Sequence, residues 1–173
     1  YAQIGKVVFD EQNQAYVQVI CYDDDYRYVE EEIICRFDSD GKEMSRFVIP
    51  DIQGQNTESK IRGFKCKDGF LYYYNENVSR LVRMDTESGE VEAYGTYDNE
   101  AIENSFALGF TEDDTVALAY IDGSLALGNS DGTIQEIGRI NYRLSEEGTE
   151  TIVNQHLYFG GKHYVTDGRY FDA

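Results

Sequence analysis

The sequence predicts an all-β chain built from repeated four-stranded antiparallel units. Three observations carry this. A turn pattern recurs three times at a spacing of ~45 residues, as Phe37-Asp38-Ser39-Asp40-Gly41, Met84-Asp85-Thr86-Glu87-Ser88-Gly89 and Asn129-Ser130-Asp131-Gly132. Runs of Val, Ile, Tyr and Phe flank each turn, and these residues favour pleated, half-buried backbone. No segment sustains an apolar period of 3.6, so almost no helix is expected.

The strands follow in order. The first unit is predicted at 4–9, 15–22, 31–37 and 43–49. The second is predicted at 60–66, 70–74, 79–84 and 90–96, and the third at 104–110, 115–120, 124–128 and 133–139. A fourth unit starts near Glu150 and looks incomplete. Asp or Asn followed by Gly supplies the hairpins, because Gly adopts the positive φ such turns need. The boundaries make one domain, 1–173, with units at about 1–50, 51–97, 98–140 and 141–173. In the third unit Phe106, Leu108 and Phe110 alternate with Ala107 and Gly109. Val116, Leu118 and Tyr120 alternate with Ala117 and Ala119, and Leu125 and Leu127 with Ala126 and Gly128. Large residues are expected on one face and small apolar ones on the other. Neither face is polar, so the sheet needs cover on both sides, and other sheets must provide it.

The period, the four-stranded units and the Asp/Asn-Gly hairpins resemble β-propeller repeats of the bacterial exported type, over nearly the whole chain. The resemblance implies about four blades, either as a whole propeller or as a fragment of a larger one. The chain has no Trp, so the WD40 signature is absent, and so is the kelch double-glycine pattern. A β-sandwich is the alternative, although it rarely places small apolar residues outward.

Composition excludes several functions. There are 15 Lys and Arg against 33 Asp and Glu, a net charge of −18. Nucleic acid and anionic membrane surfaces need clustered basic residues, so neither is an expected partner. No run approaches the ~20 apolar residues of a membrane helix, so no membrane insertion is expected. The sequence has no starting Met and no visible signal peptide, which suggests a piece of a longer exported protein. Cys21, Cys35 and Cys66 form an odd set with no CxxC, read as buried small hydrophobes. Cys21 and Cys35 share parity on neighbouring strands, which leaves a disulfide between them open.

No catalytic or cofactor motif emerges. Asp23-Asp24-Asp25 and Asp38-Ser39-Asp40-Gly41 read as turns, and the latter lacks EF-hand spacing. His156 and His163 flank Gly160-Gly161, with Tyr158 expected opposite His163 and no third metal ligand at hand. There is no Gly-x-Ser-x-Gly and no Cys with an evident base. Tyr72-Tyr73-Tyr74 alternate faces and read as core rather than as one platform.

Loop length points to one end of the units. Segments 50–59, 97–103 and 140–148 join successive units and share an end with the turn between second and third strands. That end collects Tyr26, Tyr28, Gln53, Asn56, Tyr97, Asn99, Tyr142 and Arg143. Tyr26, Tyr28, Tyr97, Tyr142 and Arg143 are the expected ligand-binding residues, for a peptide or glycan or another protein. A non-enzymatic binding or interaction module is the leading function. The alternatives are part of a propeller-class glycosidase or lyase with catalytic residues in other blades, and a structural spacer.

Overall fold

A computed structural model describes residues 1–50, 59, 61–95, 97, 99–129 and 131–139, and the backbone of 156–159, 162–165 and 170–172. It is an all-β chain. The first sheet is a meander of β1 (Ala2–Phe9), β2 (Ala15–Tyr22), β3 (Val29–Phe37) and β4 (Glu43–Val48). The second contains β5 (Ile61–Lys67), β6 (Phe70–Asn75), β7 (Arg80–Asp85) and β8 (Val91–Ala93). The third contains β9 (Ala107–Phe110), β10 (Val116–Ala119), β11 (Ser124–Gly128) and β12 (Ile134–Arg139). Among the described residues the fourth has three strands, β13 (His156–Phe159), β14 (Lys162–Val165) and β15 (Tyr170–Asp172). Every pairing is between strands consecutive in sequence and antiparallel, the blade pattern expected from the repeats. One departure is α1 (Asn99–Glu103), a single helical turn in a segment expected to be loop. Buried Ile102 anchors it.

One turn recurs almost unchanged. In 10–14, 38–42, 111–115, 120–124 and 129–133 the first N–H donates to the fifth carbonyl, and the fourth N–H donates back to the first carbonyl. The fourth residue has positive φ: Asn13, Gly41, Asp114, Gly123 and Gly132. This is a type I turn closed by a left-handed bulge residue, which matches the strand twist. Asp side chains stiffen these turns. Asp10 Oδ1 accepts from the N–H groups of Gln12 and Gln14 at 2.9 and 2.8 Å, and Asp38 Oδ1 does the same for Asp40 and Lys42. Part of the acidity is therefore turn chemistry.

The chain divides into two compact units, Tyr1–Tyr94 and Gly95–Ala173. In the first, the sheets pack face to face, with β1 beside β5. Tyr16 and Ile34 of the first sheet meet Ile61, Leu71, Tyr73, Val82 and Met84 of the second, and Ile49 joins them. Phe47 lies on Gly89 so closely that a Cβ there would fall 2.7 Å from the ring. Arg36 ties the sheets at the same end, donating to Thr86 O at 3.1 Å and pairing with Glu87 at 2.7 Å. Tyr72, Tyr73 and Tyr74 are all buried. They use both faces: Tyr73 enters the core, Tyr72 meets Tyr94 edge-on and Arg62 lies over Tyr74.

In the second unit β9 and β10 lie beside β13. Val116, Ala117, Leu118, Ala119, Leu125 and Ala126 are all buried, so the β9–β12 sheet is covered on both faces. The expectation that large residues share one face is corrected by the register. Leu118 pairs with Leu108 on one side and with Ala126 on the other, while Leu125 pairs with Ala119. Directly opposed residues point to the same face. The leucines of β11 therefore lie on the face opposite to those of β10, so each face sets large residues beside small ones.

Cys21 pairs with Glu31, whereas Cys35 pairs with Val17, four residues away along β2. That spacing separates the two thiols, and all three cysteines are free. Burial pushes the Cys66 thiol and the Tyr16 phenol up to about 12. Hydrogen bonds from the Ser88 and Glu87 N–H groups hold Asp85 below its ordinary value, and the Ser124 and Thr133 hydroxyls and N–H groups do the same for Asp122 and Asp131.

The signs give a pH profile. The turn aspartates stabilise the fold above their ordinary value of 3.8, and this is lost as pH falls through their lower folded values. The Cys66 contribution is present below 9.0 and fades as pH rises toward about 12. Urea melts should give a stability plateau between pH ~4 and ~9. Cys66→Ala should decline less between pH ~9 and ~11 than the parent; equal declines would exclude Cys66 as a source.

Candidate functional site

Three features stand out, two in the first unit and one in the second. The first is an exposed tyrosine ledge at the β2–β3 turn. Asp23 builds that turn: its Oδ1 accepts from Arg27 N at 2.6 Å and Tyr28 N at 3.3 Å, and Tyr26 takes φ 60°. The Asp25–Arg27 ion pair, at 2.5 Å, braces it from outside. This holds Tyr26 against Tyr1, with ring centroids 4.2 Å apart, and against Tyr22 at 5.5 Å, each with 27° between planes. Tyr1, Tyr26 and Tyr28 are 66, 55 and 41 % exposed. Asp23, Asp24 and Asp25 are thus a structural turn, and among the described residues no acidic cluster suits a metal ion.

The second feature is a buried polar cluster between the two sheets, near the same end. Gln18 and Glu32 lie on the face that carries Tyr16 and Ile34, and both are fully buried. Gln18 Nε2 donates to Glu32 Oε2 at 2.7 Å and to Ser59 Oγ at 3.0 Å, and Ser59 Oγ donates to Glu32 Oε2 at 3.1 Å. A bulge in β1 admits the amide. Lys6 N donates to Gln18 Oε1 at 3.2 Å, and a Cβ on Gly5 would fall 2.6 Å from that oxygen. Lys6 Nζ crosses to β5 and donates to Ile61 O at 2.8 Å. Burial lowers the Lys6 pKa, while the nearby Glu32 carboxylate opposes that. Arg62 and Glu76 pair at 3.0 Å beside it. Buried charge survives only when paired and hydrogen-bonded, so this cluster locks one sheet to the next in a single register. Sequence reading missed it. The available signal was Gln18, a polar residue at the buried parity of Tyr16 and Ile20.

The third feature is an open cleft of ≈ 730 Å³ in the second unit. Its floor is Ser124 and Ala126 of β11 with Ile134 and Glu136 of β12. Ala101 and Asn104 of the α1 region form one wall, and Tyr120 and Asp122 of the β10–β11 turn another. Tyr120 Oη donates to Ala101 O at 3.1 Å, which pins the helix. Asp122 is engaged by Ser124 and by Arg139 at 2.8 Å.

Three of the five expected binding residues, Tyr26, Tyr28 and Tyr97, are described. Tyr26 and Tyr28 sit on the ledge. Tyr142 and Arg143, with Gln53 and Asn56, lie outside the described residues. Tyr97 differs from expectation. Its ring packs against Val116 and Gly128, where a Cβ on Gly128 would fall 2.4 Å from Cε1. Those residues border the β9–β10 and β11–β12 turns, the end opposite to the β10–β11 turn. Burial raises the Tyr97 pKa. The physical reason is the gap over small residues: Gly128 and Ala126 leave room on that face for a ring. The expected histidine register does occur, with Tyr158 opposite His163 and His156 opposite Val165.

No family model and no curated protein matches the sequence. Among solved structures, a protein of unknown function from Bacteroides caccae matches 95 % of this chain at 13 % identity and TM-score 0.55. The chain spans about half of that structure, 56 % of its length. An extracellular domain assigned to a hybrid two-component system of Bacteroides thetaiotaomicron matches 98 % of the chain, at 11 % identity and TM-score 0.46, over 27 % of its own length. The Neurospora crassa Pan2 WD40 domain matches 99 %, at 8 % identity and TM-score 0.41, over 65 % of its length. Likeness at these identities concerns the fold alone. The repeated four-stranded sheets are propeller-like.

Two expectations follow. Tyr97→Ala should lower stability by about 1–3 kcal/mol in urea unfolding, because it empties a packed site; a loss under ~0.5 kcal/mol would place the ring in solvent. Gln18→Leu should cost about 1–3 kcal/mol by stripping a donor from buried Glu32. The double variant Gln18→Leu/Glu32→Leu should recover part of that loss, and strict additivity would show that the two side chains do not cooperate.

Proposed function

We propose that the chain is a non-enzymatic binding or interaction module of a larger exported protein, working through the end of its sheets where joining segments and second-to-third-strand turns meet. The single observation that carries this reading is the Tyr1–Tyr26–Tyr22 stack on a turn built by Asp23, with Tyr1, Tyr26 and Tyr28 all exposed. Rigid exposed rings supply contact area at low entropic cost. The cleft beside Tyr120 runs from the β10–β11 turn to Gly132 and Thr133 of the β11–β12 turn, so it reaches both ends of the β9–β12 sheet. Loop length in the sequence nominates Tyr142 and Arg143 as further ligand-binding residues, with Arg143 able to meet an acidic group bidentately. The opposite end carries short Asp-built hairpins. The ligand class is a peptide or glycan.

Peptide and glycan arrays probed with the parent and with Tyr26→Ala/Tyr28→Ala test this. A ligand of the parent should bind the variant at least ~5-fold more weakly, as expected for loss of about 1 kcal/mol of aromatic contact. The melting temperature should stay within ~2 °C, since exposed positions move stability little. Unchanged binding, or a ligand footprint on the 38–42, 85–90 or 129–133 turns, overturns the reading.

A further inference from the structure

Three arginines of the first unit share one arrangement. Arg36 lies over the Tyr16 ring, 5.9 Å from its centroid, and pairs with Glu87. Arg62 lies over Tyr74 at 5.5 Å and pairs with Glu76. Arg83 lies over Phe70 at 4.6 Å and Tyr94 at 5.9 Å, and pairs with Glu92. In each case one guanidinium serves a ring and a carboxylate together. Its face stacks on the ring while its edge donates to the oxygens, so neither contact displaces the other.

The tyrosine ledge holds rings and carboxylates of the same kind without the cation. Residues 22–31 contain Tyr22, Tyr26 and Tyr28 together with Asp23, Asp24, Asp25, Glu30 and Glu31. Arg27 is the single cation of that stretch, and Asp25 takes it up. Among the described residues no Arg or Lys lies over Tyr1, Tyr22, Tyr26 or Tyr28. Asp24 and Glu30 are exposed, and among the described residues their carboxylates have neither an ion pair nor a hydrogen bond. Asp24 stands two positions before Tyr26, and Glu30 two positions after Tyr28. All of these groups belong to the Tyr1–Tyr94 unit.

We propose that the ledge takes an arginine-bearing peptide segment, whose guanidinium lies over a ledge tyrosine and pairs with Asp24 or Glu30. This rests on the reading of the ledge as a binding surface and names the chemistry of its ligand. Charge complementarity favours that occupant, since the chain carries a net charge of −18 and draws in basic segments. A neutral glycan would leave Asp24 and Glu30 without a counter-charge, and an acidic ligand would be repelled. Arginine suits the site better than lysine, because only a planar fork can stack and donate at once.

Short peptide arrays are probed with the Tyr1–Ala173 chain. The tightest arginine-containing binder is then titrated by calorimetry, beside a copy in which citrulline replaces each Arg. Citrulline keeps the shape and removes the charge, so the copy should bind at least ~5-fold more weakly. Asp24→Asn/Glu30→Gln should weaken the arginine peptide at least ~3-fold, and Tyr26→Ala/Tyr28→Ala at least ~5-fold. Glu11→Gln/Asp40→Asn removes as many charges from exposed positions at the opposite end of the first sheet, and should change binding by less than ~1.5-fold. A ligand weakened by Tyr26→Ala/Tyr28→Ala but by neither citrulline nor Asp24→Asn/Glu30→Gln overturns this proposal and leaves the ledge as a binding surface. An arginine peptide unmoved by the tyrosine variant overturns both. Equal loss in Glu11→Gln/Asp40→Asn reduces the effect to overall negative charge and overturns the proposal. Arrays with no arginine-containing binder overturn it as well.

Discussion

A four-stranded meander with apolar residues on both faces cannot stand alone in water, and that constraint organises this protein. Val116, Ala117, Leu118 and Ala119 are consecutive residues of one strand, and all are buried. Consecutive strand residues face opposite ways, so the sheet is sandwiched. With a single five-residue helix among the described residues, sheets must cover sheets. Within each unit, consecutive sheets lie against each other, and each sheet needs to recognise its neighbour.

Recognition between sheets is divided between apolar packing and a few buried polar groups. In the first unit the shared core of Tyr16, Ile34, Leu71, Tyr73 and Met84 supplies non-directional attraction. Such a core tolerates sliding. The Gln18–Glu32–Ser59 network and the Lys6 bond to Ile61 O do not, because each displaced polar atom would be buried without a partner. Arg36 does the same at the other end through Thr86 O and Glu87. These contacts fix the register that holds the β2–β3 turn, and with it the tyrosine ledge, on a rigid base.

Part of the acidic composition is explained by local chemistry. Asp10, Asp23, Asp38, Asp85, Asp122 and Asp131 each accept backbone N–H bonds in a turn. A carboxylate accepts two or three such bonds where Ser or Asn accepts fewer. Among the described residues these six aspartates are spread over six turns.

The sequence by itself determined the strands, their antiparallel order and the hairpin ends, because alternation and turn residues act over five to ten neighbours. It also made Tyr26 and Tyr28 legible as ledge residues, since Asp23 and the polar run around them mark an exposed turn. Tertiary structure decided the rest. The leucines of β10 and β11 are on opposite faces because register is set by turn length, which a pattern within one strand does not encode. Tyr97 was read as loop, but its ring fills the space over Gly128, a contact between residues 31 apart that no local pattern announces. Gln18 and Glu32, 14 residues apart, became a buried pair for the same reason: what makes a polar residue affordable inside a protein is a partner supplied by another strand.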